Sequence, residues 1–405
     1  MKAIKILLPA LLSLLLSVLA CSLPGLAPTE EIVTSEPRPL EETVTLDSSS
    51  AVPLPADLQV VSSPALLSID FQDELNGWGR SERDGVFLLR TQDGGATWLD
   101  VTPAGLPETS YAPRLFVLDV NTAWALFSSG GDFYSGTLYH TLDGGATWTS
   151  NTVPFSGGGL QFLDASTGRI LANRGAGAGS NAVELYQTSD GGVTWTSVFH
   201  NDPSQPDSSD SIPLSGMKSG MTFLDADTGW VTGSRPMEGD IDQYITHDGG
   251  VSWDLQPISI PADLVECQFN TYPPIFFGEN GFLPIHIYFY SGPVEQVFYV
   301  THDGGATWAA DPTNASQVIV PAGQYVFADA QHGFSWNGGP TMLITTDGAQ
   351  TWSGMSPDLD LSDTLSMIDF IDGSLGWALS NDWDSGVVEL HQTFDGGGTW
   401  SQLIP

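Results

Sequence analysis

The chain has 405 residues, with 48 Asp and Glu against 11 Lys and Arg, and a formal charge of −37 argues against nucleic acid or an anionic lipid surface as a partner. Two cysteines are too few for a disulfide scaffold or a four-cysteine zinc site. A charged fraction of only 15%, 10% aromatics, 45 Gly and 27 Pro describe a turn-rich, Trp-rich β protein and not a disordered acidic chain.

At the N-terminus, Lys2 and Lys5 precede an apolar run from Ile6 to Ala20 that is broken only by Pro9, Ser13 and Ser17. The run is short for a membrane span and suits a signal peptide over 1–20. Val18-Leu19-Ala20-Cys21 resembles a bacterial lipoprotein box, which implies a diacylated Cys21 at the mature N-terminus; an ordinary signal with an incidental cysteine is the alternative. Acyl chains would anchor the protein stably to the outer face of a bacterial cell membrane, at roughly 0.8 kcal/mol per buried CH2. Residues 21–57 are rich in Pro, Glu, Ser and Thr without apolar periodicity, the composition of a disordered tether. Cys267, the other cysteine, is expected to be a buried, apolar-type side chain.

From residue 58 onward one octet, Thr-x-Asp-Gly-Gly-x-Thr-Trp, recurs with small variations seven times. Its Asp and Trp fall at Asp93 and Trp98, Asp143 and Trp148, Asp190 and Trp195, Asp248 and Trp253, Asp303 and Trp308, Asp347 and Trp352, and Asp395 and Trp400. Successive Asp are separated by 50, 47, 58, 55, 44 and 48 residues, enough for four short strands and their turns. Asp is expected to accept hydrogen bonds from the turn that follows it, the Gly pair to supply positive φ, and Trp to wedge between strands or sheets. Only the sixth copy loosens the pattern, with Ala349-Gln350.

A second element precedes each octet: an apolar strand, an acid, then Gly-Trp or a near equivalent. Phe71, Asp73 and Gly77-Trp78 carry it first; the second copy has Val117, Asp119 and Ala123-Trp124, and the fifth reads as Phe277-Gly278-Glu279 with Gly281-Phe282. No stretch of 58–405 reads as a long amphipathic helix. The expected fold is all-β, a single seven-bladed β-propeller of four-stranded antiparallel blades over 58–405. Leu58 to Val61 could latch the first blade to the last, although Trp400 to Ile404 could complete the last blade unaided.

These motifs resemble those of the Asp-box (BNR) repeat proteins, most closely the photosystem II assembly/stability factor-like propellers and their non-photosynthetic bacterial relatives. Sialidases, xyloglucan-cleaving glycosidases and sortilin-type receptors share the box, so the resemblance implies fold more than function. A sialidase would need an arginine triad, yet no Lys or Arg lies between 236 and 405 and no Arg-Ile-Pro precedes the first octet. Xyloglucanase-like enzymes pair two propellers around opposed Asp acids, whereas this sequence implies one. The assembly factors carry an arginine-rich patch that this acidic chain lacks. What carries over is a binding platform outside a membrane.

The acidic clusters 202–210, Asp240 with Asp242, Asp358 to Asp363, and Asp382 with Asp384 read as solvated loops, and no histidine spacing suits zinc. No Gly-rich loop precedes a Lys. The longest insertions between octets, 196–245 and 254–300, are where specificity is expected, with Tyr272, Tyr288 and Tyr290 as candidate partner-contacting residues. The sequence thus suggests a monomeric, non-catalytic lipoprotein scaffold without metal or cofactor, binding another extracytoplasmic or membrane protein; the alternative is a carbohydrate-active propeller, lectin-like or hydrolytic.

Overall fold

The computed structural model describes residues 50–83, 85–106, 112–129, 133–235, 237–262, 264–309 and 320–404; the expected signal peptide, Cys21 and the tether to residue 49 lie outside them. The described residues are all-β, with no α-helix. In the first unit, strand Leu66–Phe71 buries Leu66, Ile69 and Phe71 and turns Ser68 and Asp70 the other way, helped by an irregularity between Leu66 and Ser68. Gly77–Arg83, Val86–Thr91 and Trp98–Asp100 follow as antiparallel neighbours in sequence order.

The same four-strand order recurs in the sheets from Arg114–Val117 to Thr149–Val153, Gly158–Phe162 to Thr196–His200, Gln324–Phe327 to Ser353–Met355, and Leu365–Phe370 to Ser401–Ile404. The fourth and fifth octets share a nine-stranded sheet, whose halves are joined in strand pairing through Ser234 and Asn270 alone. In its second half, Gln268–Thr271 and Ile275–Phe277 both pair with Asn280–Tyr288. Pro273-Pro274 separates these two segments, because proline has no N–H to give to the ladder.

Consecutive units are mortared by a repeated ring contact. The residue after the motif Gly lies on the Phe of the next unit: Trp124 stacks on Phe162 at 3.6 Å, Phe282 on Phe327 at 3.8 Å, and Phe334 on Phe370 at 3.7 Å. Trp230 meets Phe276 at 4.9 Å, and where the third unit has Arg169 in place of Trp, its guanidinium sits 4.1 Å from the Phe223 ring centre. The last unit treats the first in the same way. Trp377 stacks on Phe71 at 3.6 Å, and Leu66, Leu89 and Trp98 share a buried cluster with Leu379 and Leu390. The sheets therefore close into a ring with the first strand of each unit innermost, the arrangement of a β-propeller.

Of the two closures the sequence left open, the second is found. Val60–Val61 does not latch the last sheet to the first; it pairs with Trp98–Asp100 on the outer edge of the first sheet, while Ser401–Ile404 pairs within its own unit. Closure is made by side chains, with Trp377 Nε1 donating to Gly94 O at 3.0 Å and Phe71 N donating to Asp369 Oδ2 at 2.7 Å. Residues 50–57, within the stretch read as a tether, also pack on the ring. Val52 N donates to Asn121 Oδ1 at 2.8 Å, and Leu54 and Leu58 pack against the cluster of Trp78, Phe87 and Phe127. Those apolar side chains hold 50–57 to the ring despite the tether-like composition.

Candidate functional site

Chain direction gives the ring two unlike faces. Each innermost strand ends at the Asp turn and each third strand ends at the octet, so these fourteen turns share one face, the clasp face. Hairpins between second and third strands, and loops leading into each innermost strand, form the opposite, hairpin face.

On the clasp face every octet satisfies itself. Asp93 Oδ1 accepts from Thr97 N at 2.8 Å and from Thr91 Oγ1 at 2.9 Å, Oδ2 accepts from Thr97 Oγ1 at 2.7 Å, and Thr91 Oγ1 accepts from Gly95 N at 2.9 Å. Asp143, Asp190, Asp248, Asp303, Asp347 and Asp395 repeat the pattern, with Ser252 replacing Thr in the fourth copy. Ala349 fits the sixth copy by adopting the glycine conformation, φ 66°. The Thr194 hydroxyl and N–H hold the Asp190 carboxyl down at about 2. The octet indoles are anchored as well: Trp98, Trp195, Trp253 and Trp400 each donate to the carbonyl of the second glycine of their own octet, Trp148 to Val101 O, and Trp308 to Gln256 Oε1.

The acid of the second motif closes its own turn, as where Asp73 Oδ1 accepts from Leu75 N at 2.9 Å and Asn76 N at 2.8 Å. The two motifs are then tied together: Gly94 N donates to Leu75 O, Gly144 N to Asn121 O, Gly191 N to Ser166 O, and so through Gly396 N to Ser374 O. The motif Gly exists because a ring covers it. A Cβ on Gly376 would lie 2.3 Å from Phe370, and one on Gly168 would lie 2.4 Å from Phe162. In the second unit Val117 replaces the Phe, and its partner across the strands is Ala123. In the fifth unit the ring over Gly281 is Phe276, not the expected Phe277, because that turn is one residue shorter.

The hairpin face is different. Tyr290 is fully exposed and Tyr288 40% exposed, whereas Tyr272 is half-buried with its Oη 3.2 Å from His286 Nδ1 and its ring edge-on to that imidazole. Sequence reasoning missed Trp383, 77% exposed, and Phe133 and Tyr134, about half exposed. Trp383 stands between two aspartates in a hairpin, a position where a core indole has nothing to pack against; that signal was available. Asp382 Oδ1 accepts from Asp384 N at 2.9 Å and fixes the turn that projects it.

Two further features were not legible in the sequence. Asp70 and Asp369 each precede the motif Phe on the innermost strands of the first and last units, largely enclosed by protein although they retain some accessible surface. Burial pushes Asp70 up to about 6, and burial together with the Asp70 charge pushes Asp369 up to about 7. The other is a cleft of about 350 Å³ on the hairpin face, lined by residues of the second, third and fourth units. Cys267 is buried with Leu264, Phe269 and Trp308. Among the described residues no group of three or more His, Cys, Asp or Glu could hold a metal ion.

No family model and no curated protein matches the chain. Solved structures do. YCF48 bound to a D1 peptide matches at 16% identity and a TM-score of 0.50, covering 85% of this chain and 97% of the other. The GH74 xyloglucanase from Xanthomonas campestris matches at 12% identity and a TM-score of 0.56, covering 86% of this chain and 55% of the enzyme, so the chain spans about half of its length. At such identities the likeness shows a β-propeller fold.

Proposed function

We propose that the chain is an exported lipoprotein, anchored through Cys21 outside a bacterial cell membrane, whose seven-bladed Asp-box propeller is a non-catalytic, monomeric scaffold for another extracytoplasmic or membrane protein. The observation that carries this reading is the contrast between faces. The octet carboxylates are consumed by their own turns, while Tyr288, Tyr290 and Trp383 stand exposed on the other face, where aromatics cost little entropy to bury against a protein. The likeness to YCF48 bound to a D1 peptide agrees with protein binding in general. The fourth and fifth blades count separately here because a single strand-ladder pair links their strands. Seven box Asp and Trp pairs are then structural.

The test is recovery of a membrane-extracted partner with the intact chain and with a Tyr290→Ala, Trp383→Ala variant. A partner retained by the first and lost by the second supports the reading; partners indifferent to these residues overturn it. Cys21→Ala should move the protein from the membrane to the soluble fraction.

A second reading, a carbohydrate-active propeller, is favoured by the Asp70 and Asp369 pair and by the likeness to the xyloglucanase. Sustained turnover of a glycoside panel, abolished by Asp369→Asn, would establish it in place of the first.

A further inference from the structure

The cleft of about 350 Å³ breaks the charge rule of the chain. With 48 acidic residues against 11 basic ones, its lining includes Arg114 and Lys218 and not one carboxylate. Gly157 to Gly159 and Gly220 line it, and a Cβ on Gly157 would meet nothing within 4 Å. That volume lies at the lower end of small-ligand pockets, too small for a folded partner.

The donors that remain available define the ligand. Lys218 Nζ is occupied by the carbonyls of Pro213 and Ser215 at 2.5 and 2.6 Å, so it supplies charge to the wall but few free N–H groups. No described residue accepts a hydrogen bond from the exposed Arg114 guanidinium. Asn173 turns its Oδ1 to Gly175 N and Asn181 Nδ2, which leaves its own amide N–H groups for the cleft. Phe133, about half exposed, forms an apolar side.

Both contact residues are held from behind. Arg80 donates to Ser68 Oγ at 2.7 Å and to Pro113 O at 3.0 Å, fixing the residue before Arg114. Buried Arg174 donates to Phe133 O at 2.6 Å, Pro154 O at 2.9 Å, Glu184 Oε2 at 2.8 Å and Tyr186 Oη at 2.6 Å, holding the backbone of Phe133 itself. Such bracing makes the cleft preorganised, so a ligand need not order it.

We propose that this cleft binds a small monoanionic, hydroxylated carboxylate of the size of a single uronic acid. Arg114 receives the two carboxylate oxygens in its planar fork, Asn173 donates to hydroxyls, and Phe133 covers the C–H face of the ring. A single guanidinium without a hydrogen-bond partner among the described residues, in a chain of charge −37, favours a single negative charge over a phosphate dianion. This site is independent of the protein-binding reading, which rests on Tyr290 and Trp383.

The experiment is titration of the full chain with D-glucuronate, with D-glucose as neutral control, followed by calorimetry or ligand-observed magnetic resonance. Glucuronate should saturate, glucose should not, and added sodium chloride should weaken binding. Arg114→Gln, at an exposed position, should leave thermal unfolding unchanged and weaken glucuronate at least about tenfold, the loss expected for a charge-assisted hydrogen-bonded pair. Asn173→Ala should weaken it by a smaller factor. No saturable binding, equal binding of glucose, or binding indifferent to Arg114→Gln would overturn the proposal. Loss of the Tyr290- and Trp383-dependent partner would leave it untouched.

Discussion

The clasp face and the hairpin face are made by the same strands and obey different rules. On the clasp face the polar groups point at each other: Asp143 is bonded by Thr141 and Thr147, and Gly144 N by the carbonyl of Asn121. The octet carboxylates there are spent on their own turns, although Leu142, Val193, Val251 and Phe394 stand exposed beside them, and the turns can be repeated because each is complete. The hairpin face has no common sequence, variable loop lengths, exposed rings, and cations such as Arg114 that find no carboxylate among the described residues. The contrast teaches that repetition in this chain marks where structure is held, and departure from repetition marks where chemistry is free to differ.

The largest expected effect lies at the joint between the last and first units. Trp377→Ala removes a fully buried indole, its stack on Phe71 and its bond to Gly94 O, and should cost about 3–5 kcal/mol in denaturant unfolding. A change near zero would mean that the ring is not closed there.

Next comes the covered glycine. Gly376→Ala drives a Cβ into Phe370 and should cost about 1–3 kcal/mol. In a Phe370→Val background, which copies the Val117 and Ala123 pair of the second unit, the same change should cost clearly less. Additive costs would show that the ring contact is not the reason for the glycine.

Acidity should separate the octets from the seam. Asp190, held down at about 2, contributes stability that is fully present above the unfolded carboxylate value near ~4 and is lost as pH falls toward about 2. Asp70 and Asp369 act with opposite sign: their contribution is fully present below about 4 and is lost as pH rises through about 6 and 7. Asp369→Asn should therefore raise stability by about 1–3 kcal/mol on the alkaline side and change it little below about pH 4. A pH-independent effect of that substitution would sever the seam carboxyls from each other.

The smallest effect is expected on the hairpin face, where Trp383→Ala and Tyr290→Ala should change unfolding by less than about 0.5 kcal/mol. A large loss at either would mean that the ring needs these side chains for itself.

What the sequence disclosed was what is local. Thr, Asp, Gly and Thr of an octet bond one another within a few positions, so the turn can be inferred from its own letters. The Phe and Gly of the second motif face each other across one tight turn, and a single deleted residue was enough to misplace Phe276. Asp70 and Asp369 are brought together only by closing the whole ring, and no spacing announces it. Arg169 was invisible as a structural element because a guanidinium takes the place of an indole over Phe223. The cleft is assembled by three units that differ in sequence where they meet, so no pattern could single out Arg114 or Phe133.

The contact of Trp377 with Phe71 is of the same kind as that of Trp124 with Phe162, and no strand is borrowed across it. The seam between the last and first units is thus an ordinary joint of the ring. Fusing the two ends of the ring and opening the chain between the third and fourth units should give a circularly permuted protein with the same joints and the same clasps.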